Sequence, residues 1–229
     1  MRDRIIVALD FDRFEIAKSL VETLKDATFY KVGLQAFLRY GPEILRLLKE
    51  KKKNVFLDLK FKDIPNTVFW AVKSSMVYDP RFISIHLSGG SEMIKKAVLA
   101  SQDSPDMKIL GVSVLTSFSN EDLSETGVEM KTDDAVVKLC SLGVKSGLDS
   151  FVCSPLEIKP LRKKFRGQIR LVTPGIRPHW AAKGDQKRVF TPKMAIDAGA
   201  DYLVIGRPIT ASKDPAGAFA VILNEITGL

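Results

Sequence analysis

Asp58, Lys60 and Asp63 set acid, base and acid at i, i+2 and i+5, directly after the apolar run Val55-Phe56-Leu57. Side chains alternate along a strand, so Phe56, Asp58 and Lys60 share one face while Val55, Leu57 and Leu59 share the other. An apolar face beneath helices and an inner face ending in charge is how a parallel barrel builds an active site. Two earlier strand-like runs add to the set, the first ending in Asp10 and the second containing Lys31. Asp10, Lys31, Asp58 and Lys60 are thereby expected to form one alternating acid and base network at a barrel mouth. The same residues could instead be salt bridges that hold the mouth together. Their convergence with Asp63 favours chemistry.

A second group lies near the C-terminus. Thr173-Pro174-Gly175-Ile176-Arg177-Pro178 follows a seventh strand-like run, Gly184-Asp185-Gln186 comes next, and Gly206-Arg207-Pro208 follows an eighth. Loops after the last two strands are the usual phosphate site of a (β/α)₈ barrel. Gly206 lets backbone approach an anion, and Arg177 and Arg207 offer guanidinium forks matched to phosphate oxygens. Residues 174–190 are long for a strand-to-helix connection, which points to a lid, with a merely solvated loop as the alternative.

These residues need elements to position them. Strands are expected at 5–9, 29–32, 55–59, 82–87, 109–115, 150–153, 169–172 and 202–205. Helical patterns fall between them at about 14–24, 42–51, 65–77, 91–101, 133–145, 156–165, 192–198 and 215–226. Pro42, Pro65, Pro192 and Pro215 stand where first-turn prolines are expected. Eight βα units without a linker predict that residues 1–229 form one (β/α)₈ barrel of the α/β class. Gly147-Leu-Asp-Ser-Phe-Val echoes in Gly199-Ala-Asp-Tyr-Leu-Val, as repeated units of one kind would.

Composition limits the alternatives. With 229 residues and 45% hydrophobic content the chain can build a sizeable core. No apolar run reaches the eighteen or so residues that cross a bilayer, and the N-terminal residues lack a signal-peptide pattern, so a cytoplasmic protein without membrane contact is expected. Cys140 and Cys153 lack metal-ligand spacing and read as buried thiols. The net charge of +8 (35 basic and 27 acidic residues) admits nucleic acid or an anionic metabolite. The basic runs Lys51-Lys52-Lys53 and Arg162-Lys163-Lys164 end predicted helices and carry no interleaved aromatics, which argues against nucleic acid.

With these motifs in order, the chain resembles the bacterial orotidine 5'-phosphate decarboxylase family. The resemblance rests on Val7-Ala8-Leu9-Asp10, Tyr30-Lys31-Val32-Gly33, Asp58-x-Lys60-x-x-Asp63-Ile64-Pro65-Asn66-Thr67, Ile85-His86, Val114-Leu115-Thr116-Ser117, the segment from Thr173 to Pro178, Gly184-Asp185-Gln186 and Gly206-Arg207-Pro208. It implies decarboxylation of orotidine 5'-monophosphate without metal or cofactor, in a homodimer with shared active sites. By resemblance Lys60 stabilises and protonates the C6 carbanion, Asp58 stands beside the departing carboxylate, and Lys31 and Asp10 lie near the ribose hydroxyls. Asp63 and Thr67 reach the neighbouring subunit's site, Thr116 or Ser117 bonds the pyrimidine, and Pro174 lines its carboxylate pocket. Gln186, Arg177 and Arg207 hold the 5'-phosphate.

Two other readings stay open on the residues alone. A barrel acting on a keto-sugar phosphate would keep Asp58, Lys60 and Asp63 but need Mg²⁺ and added oxygen ligands; the segment from Thr173 to Gln186 argues against it. A nucleotide-binding protein without catalysis, or a basic nucleic-acid binder, is the other, and the intact charged set argues against the first of these.

Overall fold

The computed structural model describes residues 1–181 and 190–228. Its eight strands are β1 (Ile5–Ala8), β2 (Phe29–Gly33), β3 (Asn54–Phe61), β4 (Phe82–His86), β5 (Lys108–Val112), β6 (Ser150–Val152), β7 (Arg170–Thr173) and β8 (Tyr202–Ile205). All pair in parallel with their sequence neighbours, and β8 closes on β1 through Ile5↔Leu203, Ile6↔Val204 and Val7↔Ile205. The helices are α1 (Phe14–Thr23), α2 (Leu34–Glu50), α3 (Pro65–Ser75), α4 (Gly90–Ser101), α5 (Asn120–Glu125), α6 (Thr132–Lys145), α7 (Ile158–Phe165), α8 (Pro192–Ala198), α9 (Arg207–Thr210) and α10 (Pro215–Thr227). The expected (β/α)₈ barrel is therefore the observed fold.

Alternation sorts each strand's side chains into two cores. Val55 and Leu57 of β3 point outward into the large cluster shared with the helices. Phe56 points inward with Ile6, Ala8, Phe29, Phe82, Leu110, Val172 and Val204. Phe82 lies at the centre of this inner cluster, with its ring 5.1 Å from Phe29, 6.1 Å from Phe56 and 5.2 Å from Tyr202. Burying each such ring contributes about 1.5–3 kcal/mol, and each aromatic pair roughly 0.5–1.5 kcal/mol more. This apolar plug forms a floor, and the next inward residues of β2, β3 and β4 stand on it.

Three elements depart locally from the sequence expectation. The second helix starts at Leu34, directly after β2, and breaks at Tyr40 (φ −154°, ψ 28°) just before Pro42. Proline lacks the N–H and crowds the carbonyl four residues back, so the break begins a new helical segment. At that break the Tyr40 hydroxyl donates to the Phe11 carbonyl at 3.0 Å, tying α2 to the loop that carries Asp10. The fifth strand ends at Val112 rather than Leu115, and the short α5 occupies the loop beyond. Strand β3 runs on to Phe61, past the expected Leu59.

The sequence echo has a structural counterpart. Gly147 and Gly199, at φ +97° and +111°, end α6 and α8 in the left-handed conformation. Asp201, two residues after Gly199, accepts from the Leu171 N–H at 2.7 Å and from Arg162 Nη2 at 2.6 Å. Part of the second basic run is thus committed to the barrel. Both cysteines are buried and free, and burial pushes the Cys140 thiol up to about 12. Among the described residues no helix is long and apolar enough to cross a membrane.

Candidate active site

The register between strands sets the height of each inward side chain. Ala8 pairs with Lys31, Lys31 with Phe56, and Gly33 with Asp58, so Lys31 is rooted level with Phe56 and Asp58 stands one inward step further along β3. Lys31 Nζ lies 3.0 Å from Asp10 Oδ1 and 3.7 Å from Asp58 Oδ2. Lys60 Nζ lies 2.9 and 2.8 Å from the two oxygens of Asp58. The four residues expected to converge do so, in the alternating order Asp10, Lys31, Asp58, Lys60.

Burial makes this pairing necessary. The side chains of Asp58 and Lys31 are only 11% and 13% exposed, whereas Asp10 is 51% exposed. A charge removed from water is costly unless it is paired and hydrogen-bonded. Asp58 meets this condition with two ammonium groups and with the Ser84 hydroxyl, which donates to its Oδ1 at 2.8 Å. An ammonium has three donors, and two Lys60 contacts with Asp58 leave one available for a bound molecule.

Lys60 has an unusual backbone. Its φ is +51°, in the left-handed region that costs a non-glycine residue roughly 1–2 kcal/mol. The β3–β4 pairing shifts register between Leu57 and Phe61, so Lys60 sits in a bulge. Bulges re-aim side chains beside active sites.

Two residues of this centre were not singled out as site residues by sequence reasoning. Ser84 is fully buried on β4; the signal was a small polar residue at an inward position between Phe82 and His86. Gly33 faces the network so closely that a Cβ there would stand 2.8 Å from Lys31 Nζ and 3.2 Å from Asp10 Oδ1. His86 is half-buried at the end of β4. Burial first, and then the Lys62 and Lys60 ammoniums, hold its imidazole below the ordinary range, partly opposed by Asp58.

Asp63 and Thr67 do not join this centre. Both are exposed, and Asp63 Oδ1 accepts the Ile64 N–H at 2.6 Å, within its own loop. Among the described residues Asp63 forms no ion pair with Lys31 or Lys60. Ile64, next in sequence, is 67% exposed, and Leu34 and Leu38, one turn apart on α2, are 53% and 80% exposed.

The other half of the mouth is a cleft of about 710 Å³ over β5–β8, lined by Thr116, Ser117, Pro174, Gly175 and Arg207 among others. Arg207 begins α9, and Gly206 before it has only the Ala8 Cβ, at 3.5 Å, near the position of a missing side chain. Arg177 is buried, and its backbone N–H donates to the Phe190 carbonyl at 3.0 Å. Gln186 lies outside the described residues. Among those described, no group of three or more His, Cys, Asp or Glu side chains is placed to hold a metal ion.

Comparison with known proteins gives a consistent picture. Residues 3–222 match the family described as orotidine 5'-phosphate decarboxylase / HUMPS. The orotidine 5'-phosphate decarboxylases of Gloeothece citriformis and Nostoc sp. are 42% and 43% identical, over 99% and 98% of this chain and 98% of each of theirs. The crystal structure of orotidine 5'-phosphate decarboxylase from Lactobacillus acidophilus is similar with a TM-score of 0.86 at 36% identity, covering 98% of this chain and 99% of that one. An uncharacterized conserved protein from Geobacillus kaustophilus gives a TM-score of 0.84 at 31% identity, covering 97% and 99%.

Proposed function

The chain belongs to the orotidine 5'-phosphate decarboxylase / HUMPS family, and from that premise we propose that it converts orotidine 5'-monophosphate to uridine 5'-monophosphate and carbon dioxide in pyrimidine biosynthesis. The observation that carries this reading is the alternating network of Asp10, Lys31, Asp58 and Lys60 on one half of the mouth. The arginine-bearing cleft on the other half suits the phosphate end of the same molecule.

The chemical difficulty is a carbanion. When the bond from C6 to the carboxylate breaks, its electron pair stays in an sp² orbital in the plane of the pyrimidine, where no π system delocalises it. Stabilisation must then come from a preorganised charge. The Lys60 ammonium is that charge; it faces C6, gives it a proton as carbon dioxide leaves, and regains a proton from water. Asp58, engaged at once by Lys60, Lys31 and Ser84, keeps the ammonium from wandering. Lys31 and Asp10 bind the ribose hydroxyls. Thr116 or Ser117 bonds the pyrimidine, Pro174 packs beside it, and Gly206, Arg207, Arg177 and Gln186 serve the 5'-phosphate. No step requires a cofactor.

The active unit in this reading is a cytoplasmic homodimer. Helices α2 and α3 both begin at the mouth, after adjacent strands, and the exposed Leu34, Leu38 and Ile64 there suit a face covered by a second copy. Asp63, in the loop before α3, and Thr67, in its first turn, would enter the partner's site. The test is direct: purified protein should consume orotidine 5'-monophosphate, followed by its absorbance, with uridine 5'-monophosphate as product. The rate should be unchanged by a chelator. Absence of turnover, or a requirement for Mg²⁺, would sink the reading.

A further inference from the structure

The β3–β4 ladder is regular through Phe56↔Phe82 and Leu57↔Ile83 and resumes at Phe61↔Ile85. Between these points three residues of β3, namely Asp58, Leu59 and Lys60, stand against the single Ser84 of β4. A bulge deprives backbone groups of their ladder partners, and a buried N–H left unpaired is costly. Here the Lys60 N–H donates to Ser84 Oγ at 2.9 Å, and the same hydroxyl donates to Asp58 Oδ1 at 2.8 Å. A hydroxyl has one proton to give. The two bonds therefore fix its direction, accepting from the lysine backbone and giving to the aspartate.

We propose that Ser84 is a positioning residue for the decarboxylation, whose hydroxyl holds the root of Lys60 in its left-handed conformation and in fixed register with Asp58. The proposal rests on the reading of Lys60 as the proton donor. A lysine is a point charge on a flexible four-carbon stem, so aiming it requires a constraint at each end. Asp58 holds the tip, with Nζ at 2.8 Å from Oδ2, and Ser84 holds the root. Both constraints meet on one carboxylate, since Asp58 Oδ1 accepts from Lys60 Nζ and from Ser84 Oγ.

Without the hydroxyl, the Lys60 N–H loses its partner at a φ of +51°, and Asp58 loses the bond that stops its rotation toward Lys31. The ammonium would then reach C6 in a wider range of directions, which costs rate. Substrate binding would change little, because ribose and phosphate contacts come from other residues. This separates positioning from a merely structural function, in which the hydroxyl only satisfies the bulge. Loss of a purely structural bond would lower the melting temperature while leaving turnover per folded site intact.

The experiment compares wild type, Ser84→Ala and Ser84→Thr for kcat, KM, uridine 5'-monophosphate binding and melting temperature. Ser84→Ala should lose about tenfold or more in kcat while KM and product binding stay within about threefold. Ser84→Thr, which keeps a hydroxyl, should recover to within about threefold of the wild-type kcat. If Ser84→Ala fails to fold, Ser84→Cys, similar in volume with a poor donor, should show the same loss. A folded Ala or Cys variant with kcat within about twofold of wild type would overturn the role of Ser84 alone. Wild-type protein inactive on orotidine 5'-monophosphate would overturn the proposed function and this role together.

Discussion

A side chain on Gly33 would occupy the place of the Lys31 ammonium: its Cβ would lie 2.8 Å from Nζ. The collision is with the far end of a flexible side chain, so the fold can yield by moving the lysine. The network cannot, because Nζ would leave Asp10 and Asp58 together. Gly33→Ala should therefore keep its stability within about 0.5–1 kcal/mol of wild type yet lose at least about tenfold in kcat/KM. Thermal melts and steady-state kinetics on one preparation check both halves. Full activity, or loss of activity only through unfolding, would contradict the assigned place of Lys31.

Lys60 should matter far more to turnover than to binding, because its charge acts where negative charge develops in the transition state. Lys60→Ala is expected to bind uridine 5'-monophosphate and to lose nearly all decarboxylation. Retention of about a tenth of the wild-type kcat would sink its role as proton donor.

Arg207 lines the cleft. Its expected contribution is to the phosphate. Arg207→Ala should lower kcat/KM by at least about 2 kcal/mol, the scale of a hydrogen bond to a charged group. Most of that loss should vanish for a truncated substrate lacking the phosphate, and an equal loss with both substrates would place Arg207 in another role.

Asp63 lies outside the charged network of its own chain, and the proposed dimer is testable through it by complementation. Lys60→Ala and Asp63→Ala homodimers should each be nearly inactive. In a mixed dimer one site collects both lesions and the other none. Random exchange makes about half the dimers mixed, so activity should return to roughly a quarter of wild type under the symmetry of an isologous dimer. Co-refolding equal amounts, with mock-treated protein as control, measures this; verified heterodimers without recovery would show that Asp63 serves its own subunit.

His86 gives a pH dependence. Its imidazole is held below the ordinary range by burial and by Lys62 and Lys60, so the folded state favours the neutral form. The stability this provides is present above the unfolded-state value of about 6.5 and is lost as pH falls through the lower folded value. His86→Gln should flatten the decline in melting temperature from pH 7 toward pH 5 relative to wild type. A steeper decline in the variant would reverse the assigned sign.

Much of this was legible in the chain because it follows from local periodicity. Alternation placed Phe56, Asp58 and Lys60 on one face and Val55 and Leu57 on the other, and the structure puts Phe56 in the inner cluster, Val55 and Leu57 in the outer one, and Lys60 Nζ on Asp58. Eight apolar runs alternating with helical patterns can close in few ways, so the barrel and the mouth that holds Asp10, Lys31, Asp58 and Lys60 followed. The same reasoning misplaced the start of α2 and the end of β5. Leu34 and Ser113 sit beside residues whose propensities suit either state, and tertiary packing decided.

What the sequence by itself determined is which residues face inward, and hence which charges share the mouth. Only the tertiary structure decided their heights, their partners and the backbone that aims them. Gly33 had to be small because Lys31 lies above it, Ser84 had to be polar because a bulge stands opposite, and Lys60 takes a left-handed φ that no spacing announces. Each depends on register between strands joined across long connections. Period-two alternation specifies a face but leaves register free, and register is set only when the whole barrel closes.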